Sequence, residues 1–378
     1  MDWKIPLFEI YWDKNDIKAV DKIIKSGANW AIGGIIKEFE NELAKYFDVK
    51  HCLVMNSGTS AQTSILEAYN IKNKDEVIVP SFTFISTANC VLHTGAKPVF
   101  VDIEKENYGL DPNLVLENIN SKTKAIVPVH YAGGSADIRA LSEIAEDHNL
   151  ILIEDNAEGF GAMIGNKKLG TFGNASFLSF CQNKIITTGE GGAVLSNDTK
   201  LIEKLEKIRS HGRQTKNYFG DNKSNSYVSL GYNYRMPSMN AALGLSQLKK
   251  VDKIIKMRRD IANNYNKELS KIENLKVQNV GLKGNHVFQL YSILLENKNI
   301  RDGLMNYLGT KSIFSKIYFE PVHKTYFYKN ILNYDIDLPV TENISDRILS
   351  LPMHPMLKRK DQNFILKNIM DYFENTSS

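Results

Sequence analysis

Leu150-Ile151-Leu152-Ile153-Glu154-Asp155 is a run of branched aliphatic residues closed by two acids. Apolar residues on consecutive positions suit a strand covered on both faces, as in a parallel sheet with helices above and below. Two carboxylates at the end of such a strand are no packing choice, because an unpaired buried carboxylate is costly. One of them can cap the next turn. The other can be held in a crevice to meet a cationic ligand atom, at the carboxyl end of the sheet where open α/β folds bind their ligands.

Short apolar runs recur on both sides of this stretch: Cys52–Met55, Val77–Val79, Val99–Val101, Ala125–Val129, Phe177–Phe180 and Ala193–Leu195. Helical patterns lie between them. Asp137–His148 places Ile138, Leu141 and Ala145 on one face, with Asp137 as the N-cap. This alternation predicts an α/β fold whose central sheet is mostly parallel and flanked by helices. After Asn240 the character changes. Ala241–Ile261 reads as one long helix, and Val287–Leu295 is an apolar and aromatic run among further helices. The expected organisation is an arm over 1–15, a large α/β domain over 16–250 and a smaller α+β domain over 251–378. No fixed-period repeat or low-complexity tract is visible.

Composition narrows the function classes. In 378 residues, Lys plus Arg is 47 and Asp plus Glu is 43, a net charge of +4. That balance, with basic residues scattered, argues against nucleic-acid or anionic-membrane binding. The three cysteines, Cys52, Cys90 and Cys181, have no zinc-type spacing, so no metal site is expected and a reducing compartment fits. The start, Met1-Asp2-Trp3-Lys4-Ile5-Pro6, lacks a basic segment followed by an apolar one. No apolar run approaches the roughly 20 residues that span a bilayer. A soluble, cytoplasmic protein is expected.

Several segments fall where loops should leave the carboxyl ends of strands. Asn56-Ser57-Gly58-Thr59-Ser60-Ala61 follows the first strand and opens a helix. Its N–H groups, hydroxyls and helix dipole would suit a phosphate, though an ordinary N-capped helix reads the same way. The ATP and dinucleotide glycine fingerprints are absent. Lys184 lies between the strand Phe177–Phe180 and the turn Thr187-Thr188-Gly189-Glu190-Gly191-Gly192. A lysine in a water-poor pocket becomes an amine nucleophile, whereas most lysines are simply solvated. The glycine turn equally suits a hairpin connection. Gly231-Tyr232-Asn233-Tyr234-Arg235-Met236 reads as an anion-facing loop or a plain helix entry.

Taken together and in order, these segments resemble the DegT/DnrJ/EryC1/StrS group of PLP-dependent sugar aminotransferases, within fold type I. The resemblance covers nearly the whole chain. It runs through Ser57–Ala61, Val79-Pro80-Ser81-Phe82-Thr83-Phe84, Pro128-Val129-His130, Glu154–Glu158, Ser179–Lys184, Thr187–Gly192, Gly231–Met236, Phe319-Glu320-Pro321-Val322-His323 and Leu349–Met353. Members that make perosamine-like 4-amino-4,6-dideoxysugars look nearest.

The resemblance implies pyridoxal 5′-phosphate (PLP), alternating with its amine form PMP, as cofactor. Lys184 would carry PLP and then shuttle the proton, and Asp155 would face the pyridine nitrogen. Glu158 would lie near the ring's phenolic oxygen, and Phe84 would stack on the ring. Gly58, Thr59, Ser60 and Ser179 would hold the phosphate. Asn233 would reach the phosphate of a partner subunit, implying a homodimer with shared sites. Arg235 and His323 would meet the sugar nucleotide or the amino donor, most readily glutamate. Relatives that dehydrate sugars carry His in place of the lysine, and a non-catalytic relative should lose Lys184 or Asp155, so both alternatives are disfavoured. The nucleotide and the aminated carbon, C3 or C4, stay open, with specificity expected in Tyr218–Tyr227 and Ile313–Tyr328.

Overall fold

In the computed structural model, which describes residues 3–214, 226–277 and 284–376, the apolar runs become the strands of one sheet. They are β1 (His51–Met55), β2 (Glu76–Pro80), β3 (Lys97–Val101), β4 (Thr123–Ile126), β5 (Ile151–Asp155), β6 (Ala175–Ser179) and β7 (Gly192–Ser196). The seven strands lie in the order β1-β7-β6-β5-β4-β2-β3. The pairs β2–β3, β2–β4, β4–β5 and β5–β6 are parallel, and β7 runs antiparallel to both β6 and β1. The expected mostly parallel α/β sheet is therefore present.

Both faces are covered, which explains why the strands are apolar on consecutive positions. Helices α1 (Lys14–Lys25), α2 (Gly34–Phe47), α3 (Gly58–Ala68), α4 (Ser86–His93), α5 (Pro112–Glu117), α6 (Ile138–Asp147), α7 (Thr199–Arg209) and α8 (Ser238–Leu248) accompany it. One core holds Phe39 and Leu43 of α2, Leu141 of α6 and Leu245 of α8 against Val54, Leu152 and Leu178. The other holds Ile65 of α3, Val91 of α4 and Leu205 of α7 against Leu53, Ile153 and Phe177. Neighbours such as Leu152 and Ile153 thus serve opposite faces, as strand geometry requires. In α6, Asp137 caps the first turn, and Ile138, Leu141 and Ala145 are buried as read from the sequence.

The single helix expected over Ala241–Ile261 is two. α8 stops at Leu248, and α9 (Val251–Leu269) starts after a break at Lys249–Lys250. Lys250 is drawn to the start of α1, with Nζ 2.9 Å from Asp13 and 2.7 Å from Asp16. The break lets α9 serve two cores. Its Ile254 and Ile255 pack in a core of the seven-stranded sheet, whereas Ile261, Tyr265 and Leu269 pack in a separate core.

A second, antiparallel sheet is formed by β8 (Leu275–Val277), β9 (Tyr291–Leu295) and β10 (Ile348–Leu351), with α10 (Lys298–Thr310), α11 (Pro339–Arg347) and α12 (Arg359–Thr376). The expected arm joins it: the Ile5 N–H donates to the Ser312 carbonyl at 3.1 Å, and the Phe314 N–H donates to the Ile5 carbonyl at 3.0 Å. Val322, Tyr328 and Leu338 turn back onto the large-domain core. Among the described residues, no helix is long and apolar enough to cross a membrane.

Asp102, just past β3, ties the two parts together. Its buried carboxylate accepts from the N–H groups of Val340 and Thr341, both at 2.8 Å, and from the Thr341 hydroxyl at 2.7 Å. Those N–H groups belong to the first turn of α11, where helices leave donors unpaired and favour negative charge. Asp102→Ala should cost about 2–5 kcal/mol, because two backbone donors and the Thr341 hydroxyl lose their acceptor inside the protein. Asp102→Asn should cost less, since an amide oxygen still accepts. Urea midpoints of the full-length variants check this, and an unchanged midpoint for Asp102→Ala would remove the capping role.

Candidate active site

The carboxyl ends of β1, β5 and β6 meet at one edge of the sheet. Strand β6 returns through β7 without a helical crossover, so residues 180–191 form the hairpin connection, and they carry Lys184. This connection is pinned from within. The Phe180 N–H donates to the Gly191 carbonyl at 2.8 Å, and the Thr188 N–H to the Phe180 carbonyl at 3.0 Å. It is also pinned from outside. The Asn240 amide donates to the carbonyls of Thr188 and Glu190, and the Gln289 amide donates to the Asn183 carbonyl at 2.7 Å.

The two acids that end β5 have opposite fates, because adjacent strand residues face opposite ways. Glu154 is fully buried and satisfied by the chain itself. It accepts from the N–H groups of Gly170, Phe172 and Gly173 and pairs with the His130 ring at 2.9 Å. It is the structural member of the pair. Asp155 is 6% exposed and, among the described residues, accepts from the Thr87 hydroxyl at 2.9 Å and the Ala157 N–H at 3.1 Å. Burial pushes its carboxyl up to about 6, against the pull of those two bonds and of the positive charge on Lys184. It is a carboxylate whose charge would be strongly favoured by a cation placed beside it.

Lys184 and Glu158 converge on the same place. The Lys184 ammonium lies 3.5 Å from Glu158 Oε1, with the lysine side chain 15% exposed. The other Glu158 oxygen accepts the Ala132 N–H at 2.8 Å. The charges of both residues are felt at Asp155. The three groups form one electrostatic cluster.

The Ser57–Ala61 turn opens α3. Ser57 is its N-cap, and its hydroxyl accepts the Ser60 N–H at 3.0 Å. Ser57 and Ser60 also share a hydroxyl bond at 2.8 Å, and Thr59 pairs with Ser86 at 2.7 Å. Gly58 lies against Ser179, where a Cβ would meet the serine Cβ at 3.2 Å. Gly192 comes closer still: a Cβ there would fall 2.4 Å from the Ser57 carbonyl carbon. Lacking one, it lets β7 press against the start of α3. Hydroxyls, N–H groups and a helix N-terminus thus gather into an anion cup beside the acid–amine cluster.

The remaining expected residues divide. Phe84, just before α4, leaves its ring 62% exposed, whereas Phe82 two positions away is fully buried. The loop with Asn233 and Arg235 is held beside the cup. The Asn56 N–H donates to the Tyr234 carbonyl at 2.9 Å, the Asn56 amide donates to the Asn233 carbonyl, and Arg235 donates to the Ser210 hydroxyl. His323 is placed differently from the expectation of a substrate contact. It is 2% exposed, its Nδ1 pairs with the Ser81 hydroxyl at 2.7 Å, and its Nε2 pairs with Glu342 at 3.2 Å. Both ring nitrogens are engaged inside the chain, and burial lowers its pKa.

Of the two segments expected to carry specificity, residues 218–225 of the first lie outside the described residues. In the second, Tyr318 lies close enough to Glu158 and Cys181 for their charges to raise its pKa further, after burial has done most of the work. The sequence reading passed over Thr87. Thr83 and Thr87 are four apart at a helix start, and that spacing was the available signal.

Comparison with known proteins agrees with this geometry. GDP-perosamine synthase of Vibrio cholerae is 38% identical over 372 residues, covering 98% of this chain and 99% of that protein. The aminotransferase PseC of Helicobacter pylori, described as involved in the biosynthesis of pseudoaminic acid, superposes with a TM-score of 0.92. It is 32% identical and covers 98% of this chain and 99% of its own. NtdA of Bacillus subtilis, solved with bound cofactor PMP, gives a TM-score of 0.87 at 26% identity over 96% of this chain and 82% of its own. Residues 11–370 match the DegT/DnrJ/EryC1/StrS aminotransferase family, to which this chain belongs.

Proposed function

We propose that the chain passes an amino group from L-glutamate to the C4 keto group of a nucleotide-linked 4-keto-6-deoxyhexose, giving a GDP-perosamine-like amino sugar. The chain is a PLP-dependent sugar aminotransferase. The donor, the nucleotide and the carbon are the proposed part, and the similarity to GDP-perosamine synthase supports them. The observation that carries the reading is the convergence of Lys184, Glu158 and buried Asp155 beside an anion cup.

The residues present fit PLP. The start of α3 with Thr59, Ser60 and Ser179 would hold a phosphate, and Asp155 lacks only a cation such as a protonated pyridine nitrogen. Phe84 offers an open ring face for stacking. When bound, PLP supplies an electron sink for negative charge at the donor's α-carbon. Lys184 Nζ would take the proton from that carbon and return it two atoms away, across the amino nitrogen. Glu158, 3.5 Å from Nζ, stabilises the protonated amine between those events. By the family resemblance, Glu158 would also lie near the ring's phenolic oxygen, where it would need a proton or a bridging group to avoid repelling that oxygen. Arg235 would hold an anionic part of the substrate. His323 braces the Ser81 turn rather than touching substrate.

The same reading includes a cytoplasmic homodimer. Asn233 is exposed on its loop, and Ile10, Trp12, Ile17, Ile24 and Trp30 expose apolar surface along the arm and the start of the large domain. A second copy covering that surface would bring each Asn233 to its neighbour's cup.

A panel of 4-keto-6-deoxy and 3-keto nucleotide sugars, offered with glutamate and read by product mass, tests the substrate. Amination confined to a 3-keto sugar would overturn the C4 assignment. Lys184→Ala should lower turnover by roughly 10⁴-fold or more. Borohydride should fix the cofactor to the wild-type protein and not to this variant; turnover retained by the variant would remove Lys184 from its role.

Asp155 adds a pH signature in the chain prepared without PLP. Its folded pKa of about 6 lies above the ordinary 3.8, so the native state binds this proton more tightly than the unfolded chain. Its contribution is most favourable below pH 4 and is lost as pH rises through 6. At pH 8 the ionised, buried group costs about 3 kcal/mol. Asp155→Asn should therefore stabilise the PLP-free chain at pH 8, with the difference fading toward pH 4. Thermal unfolding across that range checks it, and a destabilised variant at pH 8 would contradict it.

A further inference from the structure

Asp155 is held by a chain of hydroxyls. The Thr87 hydroxyl donates to Asp155 Oδ2 at 2.9 Å, and the Thr83 hydroxyl lies 2.9 Å from that of Thr87. An ionised carboxylate only accepts, so the one Thr87 hydroxyl proton points to Asp155 and Thr83 must donate to Thr87. Both threonines are buried, and both belong to the stretch that leads from β2 into α4. That stretch is anchored in turn. Gln62, fully buried in α3, donates to the Thr87 carbonyl at 2.9 Å. The turn that carries Thr59 and Ser60 toward a phosphate is thereby linked through α3 and α4 to the acid meant for the ring nitrogen.

We propose that Thr87, backed by Thr83, is a positioning residue that fixes the Asp155 carboxylate and keeps it ionised for a cationic ring nitrogen. The proposal rests on the reading of Asp155 given above. The groups that face Asp155 leave this task to Thr87. Lys184 approaches from the hairpin connection and favours the charge, whereas Glu158, from the loop after β5, opposes it. Cys90, the next ionisable side chain along α4, has its thiol pushed up to about 11 by burial and stays neutral. The Ala157 N–H is the other direct donor, and it is main chain, so no side-chain substitution removes it. Thr87 is the side-chain donor that can be removed alone.

The hydroxyl chain also suits both states of the acid. If Asp155 is protonated, its O–H can donate to Thr87, and Thr87 in turn to Thr83. When the acid gives that proton to an arriving ring nitrogen, the hydroxyl protons turn the other way without moving a heavy atom. A backbone donor alone could not follow that change.

The test uses the full-length protein titrated with PLP. Thr87→Val, which keeps the shape and removes the hydroxyl, should weaken PLP binding about 10- to 100-fold, as loss of a hydrogen bond to a charged group does. It should lower kcat by a similar factor with KM for glutamate little changed. Thr87→Ser should return both to near the wild-type values. In an Asp155→Asn background, Thr87→Val should cost little more, because its effect passes through the carboxylate. Should Thr87→Val fail to fold, Thr83→Val carries the same comparison with a smaller effect. A Thr87→Ser protein as impaired as Thr87→Val, or an equal loss in the Asp155→Asn background, would overturn the proposal. PLP affinity is measured with no sugar present, so a wrong sugar assignment leaves this result intact.

Discussion

A carboxylate kept out of water must be matched by something, and the site is arranged around one that the chain leaves incompletely matched. Asp155 receives two neutral donors and a nearby ammonium, and burial still holds its pKa near 6. Glu154, one residue earlier, receives three backbone donors and a histidine and is finished within the fold. The contrast separates structure from function at adjacent positions. Both acids cost desolvation, and only one of them has its compensation supplied by the chain.

Placing the amine opposite that acid depends on a departure from the parallel pattern. A helical crossover after β6 would carry the chain to the far end of the sheet before the next strand could begin. Strand β7 instead returns antiparallel, so its connection stays at the carboxyl edge with Lys184 on it. The same return presses Gly192 against Ser57, at a distance that leaves no room for a side chain. The anion cup and the lysine loop are thus held by one glycine contact and one hairpin, and each fixes the other.

Strands and their order of appearance were legible because burial on both faces writes itself as consecutive apolar residues. The resemblance was what singled out Asp155, Glu158 and Lys184, which lie near one another, since no local pattern distinguishes one lysine from another. What escaped was set by tertiary partners. The break after Leu248 has no proline or glycine to announce it and follows from the pull of Asp13 and Asp16 on Lys250. The resemblance offered His323 as a candidate substrate contact, and its two nitrogens pair with Ser81, 242 positions away, and with Glu342. Thr87 shows the reverse case: a residue ordinary in sequence gains its meaning from an acid 68 positions away.

The part of the chain after α8 reaches the loop of Lys184 through hydrogen bonds. Arg258 in α9 is buried and donates to the carbonyls of Phe288, Gln289 and Met353, so α9, the start of β9 and the end of β10 share one cation. The Gln289 side chain then reaches the Asn183 carbonyl, next to Lys184. Asp102 works in the opposite direction, from the large sheet to the first turn of α11. These links cross the junction both ways, and each uses a buried charge on backbone groups. A charge matched by backbone tolerates little displacement before a donor or acceptor is stranded. The rigidity that keeps Lys184 beside Asp155 is therefore a property of the junction as much as of the loop on which the lysine sits.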